Sequence, residues 1–177
     1  KECSHCGDVI KETIALDTTN FPDENFRALL STAAYDLDQD RALSQEEIEA
    51  ITSIAVNGEG DEMMVNVDGG IYDLTGIEYL TEITNLNVSY NSNLTELDVS
   101  NNTKLQYINA NTTGIERIDT SNCAQLVALS MQHNSMLTEV EISDSVHLKS
   151  LLLKNAYNLR DLDISQNIEL TNINLSG

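Results

Sequence analysis

From Leu80 onward the apolar residues fall into one recurring phrase, apolar-x-x-apolar-x-apolar, with polar residues between. Leu94-x-x-Leu97-x-Val99 is followed by phrases that open on Leu105, Ile115, Leu126, Leu137, Leu148, Leu159 and Leu170. The openings lie 11 residues apart, apart from a step of 10 between Leu105 and Ile115. An amphipathic helix also spaces apolar residues by three. Two apolar residues two apart, followed by an Asn-rich break, are instead strand-and-turn patterning. Alternate phrases differ, so the true unit is two steps. Leu97-Asp98-Val99-Ser100, Ile118-Asp119-Thr120-Ser121, Val140-Glu141-Ile142-Ser143 and Leu162-Asp163-Ile164-Ser165 share apolar–acid–β-branched–Ser, whereas the phrases between them lack the acid. A coil of 21 to 22 residues that turns twice cannot bury its own apolar edge. Stacking neighbours at ~4.8 Å buries it.

With its closing Asn the phrase is the leucine-rich-repeat consensus. Asn91, Asn102, Asn134 and Asn167 occupy that place, Thr113, Cys123 and Ser145 are small polar substitutes, and Ala156 is a weak one. A buried carboxamide there bonds backbone groups at the turn, coil after coil. Cys123 therefore reads as a buried turn residue. Ile51-x-x-Ile54-x-Val56 states the phrase once earlier, and Asn57 to Gly70 reads as a loop or hairpin inserted in that first coil. The repeat ends on Leu170, Ile173 and Leu175 without a polar closing segment, so a homodimer through this C-terminal edge is one expectation.

Ahead of the repeat the spacing predicts a helix over 21–35. Pro22 suits its first position, Asp23 and Glu24 its positive end, and Phe26, Leu29, Leu30, Ala33 and Ala34 its apolar stripe. Then comes D-x-D-x-D-x-x-x-S-x-x-E from Asp36 to Glu47, and a second helix from Ser44 to about Ile51. Asp36, Asp38, Asp40, Ser44 and Glu47 place oxygens at positions 1, 3, 5, 9 and 12 of a twelve-residue loop, with the Ala42 carbonyl at position 7. A hard cation needs oxygens converging on one point, and this pattern predicts structural Ca2+. Arg41 stands at position 6, where Gly normally makes the turn. It must take φ > 0 at some cost, and its charge lowers the expected affinity. The plainer alternative is a capping box, Ser44-x-x-Glu47, beside a solvated turn. Cys3-Ser-His-Cys6 is compatible with a zinc half-site, a redox pair or a small disulfide, and no second ligand pair completes a zinc site.

The domain reading is a tail over 1–19, a helix–loop–helix cap over 20–53 and a solenoid over 54–177 with an insertion near 58–70. The fold class is α+β: a right-handed leucine-rich-repeat solenoid with strands on two faces behind an EF-hand-like cap.

Charge then narrows the function. The 177 residues carry 29 Asp+Glu against 9 Lys+Arg, a formal net charge of −20. That excludes a protein that tracks nucleic-acid phosphates and disfavours an anionic membrane surface. No apolar run approaches the ~20 residues of a membrane span. The acids stack on one solenoid face through Asp98, Asp119, Glu141 and Asp163, with Glu96, Glu139 and Asp161 nearby and Arg117 against them. The other face carries Asn87, Tyr90, Tyr107, Asn109, Asn111, Ser130 and Gln132, with Leu152 and Lys154. It lacks carboxylates and is rich in hydrogen-bonding groups, so it is the candidate ligand face. His5, His133 and His147 are scattered, and no catalytic constellation is visible, so no enzyme is expected.

The phrases Phe21-Pro-Asp-Glu-Asn-Phe26, Asp36-Leu-Asp-Gln-Asp-Arg-Ala-Leu-Ser-Gln-Glu-Glu47, Leu74-Thr-Gly-Ile-Glu-Tyr-Leu80 and the repeated L-T-x-L-D-V-S-x-N resemble secreted bacterial leucine-rich-repeat proteins whose arrays are capped by an EF-hand-like helix pair. The resemblance covers roughly residues 20–177. It implies export to the cell surface or medium, often with a lipid anchor, and a binding role toward a protein or glycan. The alternative is a spacer or stalk of a larger surface assembly with no ligand of its own.

Overall fold

The computed structural model describes residues 13–56 and 70–177. The Cys3-x-x-Cys6 pair and nearly all of the insertion lie outside the described residues.

The repeat phrase becomes a β-solenoid. Six three-residue strands form one parallel sheet: β3 (Ser53–Ala55), β4 (Asn85–Asn87), β5 (Tyr107–Asn109), β7 (Ala128–Ser130), β9 (Ser150–Leu152) and β10 (Asn172–Asn174). Ile54, Leu86, Ile108, Leu129 and Leu151 are register partners at the strand centres, and all are buried. The third apolar residue of a phrase, such as Val88 or Met131, points inward beside them. One contiguous core runs from Leu16 to Leu153. It thins toward the C-terminus, where Ile168 is 87% exposed and Ile173 44%.

The turn asparagines behave as the pattern requires. Asn91 Nδ2 donates to the Val88 carbonyl of its own turn at 2.8 Å and to Val56 of the preceding coil at 2.9 Å. Asn102 reaches Ile77 and Leu80, Asn134 reaches Ala110, and Asn167 reaches Ile142 and Ser145. Cys123 holds the same place, its thiol on the Val99 and Asn102 carbonyls at 3.8 and 3.9 Å. Burial, and then the charge of Asp119, push this thiol up to about 11, so it is inert at neutral pH.

The expectation of strands on both faces holds in part. The second face carries β6 (Arg117–Asp119) paired with β8 (Glu139–Glu141), while the matching segments around Asp98 and Asp163 are irregular. The coil from Leu97 to Ile118 is a residue short, and Asp98 faces the like charge of Asp119. On this face the backbone bond between these coils is long, Glu116 N to Thr95 O at 3.4 Å.

The N-terminal segment departs from the expected helix over 21–35. The helix α1 spans Glu24–Leu30, with Asp23 as its N-cap and Pro22 before the cap. Ser31 Oγ and Thr32 Oγ1 donate back to the Arg27 and Leu29 carbonyls at 2.8 Å each. Such hydroxyls compete with helix propagation, so Ala33 and Ala34 leave the stripe and are exposed. A loop then leads into β2 (Ala42–Ser44) and α2 (Gln45–Ala50), whose N-cap is Ser44. The strand β1 (Thr13–Ala15) pairs antiparallel with β2. Phe21 is fully buried, its ring edge-on to Phe26 and Tyr79 at 5.8 and 5.9 Å. It sits against Gly76, where a Cβ would fall 2.2 Å from the Phe21 ring and where φ is +104°. Only Gly fits that contact.

Candidate functional site

In a parallel sheet with one face buried, residues flanking each strand centre point outward together. Register therefore builds two rows on the six-stranded sheet. One row is Ser53, Asn85, Tyr107, Ala128, Ser150 and Asn172; the other is Ala55, Asn87, Asn109, Ser130, Leu152 and Asn174. Neither row contains a charged residue, in a chain with 29 Asp+Glu. A shallow groove of about 380 Å³ runs across them, with Tyr107 in it at 47% exposure.

Five of the residues expected on this face, Asn87, Tyr107, Asn109, Ser130 and Leu152, lie in these rows. Asn111 and Gln132 follow just beyond the strands and are tied together: Asn111 Oδ1 accepts the Ser130 hydroxyl at 2.8 Å and the Gln132 amide at 2.7 Å. Tyr90 stands apart, at a turn on the sheet's edge with φ 64°. Among the described residues, the Nδ2 groups of Asn87 and Asn109 donate to nothing within the chain. These two amides are register partners and stay available to a ligand.

The acidic face repeats the same local geometry with charge. Asp98, Asp119, Glu141 and Asp163 each accept the amide of the Ser two residues on, at 2.8–2.9 Å. Those serines hold all four carboxyls below the usual carboxylate range. On the neutral face Asn87 and Asn174 do the same for Ser89 and Ser176 at 3.1 Å. The position is a turn-former on either face, and the choice of Asn or Asp sets only the charge. The apolar–acid–x–Ser repeat was the available signal for this role. A hollow of about 480 Å³ lies between Asp98 and Asp119 on this face, where the coils splay. Arg117 lines it and pairs away from it, with its register partner Glu139 on β8 at 3.4 Å.

In the loop, Asp36, Asp38 and Asp40 each bring one oxygen to within 4.8 Å of the others. Asp36 is buried. Its Oδ2 accepts the Arg41 amide at 3.1 Å, while its Oδ1 is buried with no partner. Arg41 has φ 67°, the left-handed conformation expected of it. Ser44 and Glu47 form a full capping box. Burial pushes the Glu47 carboxyl up, but bonds from Ser44 and from the Leu37 and Asp38 amides outweigh it and hold it low. Glu47 is not among the converging oxygens. Ala42 lies in β2, its amide on Asp40 Oδ1 at 2.8 Å.

A residue that sequence reasoning underrated is Asp23. It is fully buried, and beyond its two cap bonds its Oδ2 accepts the Tyr72 and Asp73 amides at 2.8 and 3.2 Å. Of the histidines within the described residues, His133 Nδ1 meets Asn155 and His147 Nδ1 meets Glu169, both at 3.0 Å and both at the surface.

No helix among the described residues is long and apolar enough to cross a membrane. No protein-family model and no curated protein sequence matches the chain. Solved structures do. A crystal structure of the internalin InlF from Listeria monocytogenes superposes with a TM-score of 0.71 at 27% identity, covering 92% of this chain and 45% of that one. The internalin InlC2 from the same species gives 0.59 at 16% identity, over 94% and 69%. The chain thus spans less than half the length of InlF. It is a leucine-rich-repeat β-solenoid with the fold of the Listeria internalins.

Proposed function

We propose that this chain is a cell-surface or secreted interaction module that binds a protein partner across its six-stranded sheet. The observation that carries this reading is the pair of uncharged rows. Among the described residues of this strongly acidic chain, both rows are free of acids. A neutral surface of Asn and Ser around an exposed Tyr supplies adaptable hydrogen bonds and a rigid aromatic anchor, the composition of many protein-binding surfaces. Likeness to InlF supports it through the repeat architecture.

The test is an array of purified surface proteins and glycans probed with the chain and three variants. Tyr107→Ala with Asn109→Ala should weaken the captured protein by about 10–100-fold, the scale of an interface hot spot. Asn109→Asp keeps the turn geometry but charges the face, and should weaken it comparably. Asp119→Asn with Glu141→Gln should leave binding unchanged. The opposite ranking moves the site to the acidic face, capture of glycans alone makes the ligand a glycan, and silence from every form supports a stalk.

The loop between α1 and α2 supports a second element, a structural Ca2+ in a helix–loop–helix cap. Asp36, Asp38 and Asp40 would hold the ion, joined by the Ala42 carbonyl. The donor set is all oxygen, as a hard cation requires, and the buried, unpartnered Asp36 Oδ1 is an acceptor that a cation would satisfy. The ion would stabilise the segment that packs on the first coil.

A further inference from the structure

A loop of this spacing normally closes on its ion with both oxygens of the last acid. Here that acid, Glu47, is already committed. Its Oε1 accepts the Leu37 amide at 2.6 Å, and its Oε2 accepts the Ser44 amide and hydroxyl at 2.8 Å each. Turning both oxygens onto an ion would leave the Leu37 and Ser44 amides without acceptors in a part-buried loop. The aspartates are the reverse case. Asp36 uses Oδ2 on the Arg41 amide and leaves Oδ1 buried with no partner, and its carboxylate converges with those of Asp38 and Asp40. Resting on the cation reading above, we propose that Glu47 is a latch and not a ligand: it closes the loop through amides, while three aspartates and the Ala42 carbonyl hold the ion and water completes its shell.

Two consequences separate this arrangement from ordinary closure. The loop is shaped before the ion arrives, so loss of the Glu47 charge weakens the metal-free fold more than it weakens the ion. A site that retains water and lacks a bidentate acid also discriminates poorly between Ca2+ and Mg2+, because bidentate closure is what favours the larger ion.

Calorimetric titration of Ca2+ and of Mg2+ into the full chain tests this, alongside melting of the metal-free forms. Glu47→Gln should change Ca2+ affinity by less than about fivefold while lowering the metal-free melting temperature, and Asp36→Asn should cost about a hundredfold or more. Wild-type affinities for the two ions should lie within about tenfold of each other. A loss in Glu47→Gln equal to that in Asp36→Asn makes Glu47 a ligand and overturns the latch, with the cation site intact. Should Glu47→Gln fail to fold, the wild-type ratio decides, and a Ca2+ preference above about a thousandfold overturns the proposal. A wild-type chain that binds neither ion overturns the cation reading and the latch with it.

Discussion

A single carboxylate joins the N-terminal segment to the repeat. Asp23 caps α1 with Oδ1, on the Asn25 and Phe26 amides at 2.9 Å each, and spends Oδ2 on Tyr72 and Asp73, 49 and 50 residues away. Removing it orphans four amides, one buried and three part-buried, and a fully buried orphaned donor costs on the order of 1–3 kcal/mol. Partial rehydration keeps the sum below that product. Asp23→Ala should therefore destabilise the chain by about 3–5 kcal/mol in urea titration. Asp23→Asn keeps an acceptor and should cost less. A loss below ~1 kcal/mol for the alanine variant, a lone cap's worth, would show that the long-range bonds contribute nothing. Its charge placed Asp23 near the positive helix end from sequence, a local preference, whereas its place as the cap, one residue before the helix, emerged with the structure. Its hold on residues 72 and 73 was not legible, because no local pattern encodes which distant segment passes a helix N-terminus. For Glu47 the spacing offered two roles, ion ligand and capping box with Ser44; the box is local and was legible, whereas the Leu37 amide, ten residues away, meets Glu47 only once the loop is closed.

At the scale of elements, period decides what is readable. The strand centres followed from the repeat, since Leu86, Ile108, Leu129 and Leu151 are buried wherever the phrase sets them. Which face carries paired strands did not follow, because pairing around Asp98 depends on a coil one residue shorter and on a like charge opposite. A regularity invisible in the phrase is the column Tyr90, Thr112, His133 and Asn155, all at φ 56–64°. Each donates its amide to the next coil, at 2.7–2.9 Å. Asn tolerates this conformation, whereas β-branched Thr is strained in it. Thr112→Gly should stabilise by about 1 kcal/mol, raising the melting temperature by ~2–4 °C, while Asn155→Gly should be near neutral. A drop for Thr112→Gly would mean that its side chain contributes more than its strain. The acid turns make a pH prediction. Carboxyls with lowered folded pKa stabilise fully above their unfolded values, ~4, and lose that contribution as pH falls through the folded ones. Stability should fall below about pH 4, and Asp98→Asn, Asp119→Asn, Glu141→Gln and Asp163→Asn combined should flatten the fall. An unchanged slope would assign acid sensitivity elsewhere.

For the whole molecule, charge sets two responses to added ions that must be told apart. The formal net charge of −20 repels itself across a thin solenoid, so any salt that screens it should raise the melting temperature. Screening depends on ionic strength and not on which cation carries it, and it is diffuse. A bound ion acts through mass action on the folded state alone, by RT ln(1 + [L]/Kd), which is ~2.7 kcal/mol at one hundred times Kd. Millimolar CaCl2 adds little ionic strength, so its effect beyond an ionic-strength-matched NaCl control isolates the site. The excess should appear in the chain as it stands and vanish in Asp36→Asn, whose formal net charge differs by a single unit. It should also survive in the variant with the four acid turns neutralised, because Asp98, Asp119, Glu141 and Asp163 lie on the repeat and not in the loop 36–47. If CaCl2 and matched NaCl shift the curve equally, the ion is atmosphere and the aspartate loop is a turn. If the excess follows the repeat acids instead of Asp36, the cation sits on the acidic face, between the splayed coils at Asp98 and Asp119.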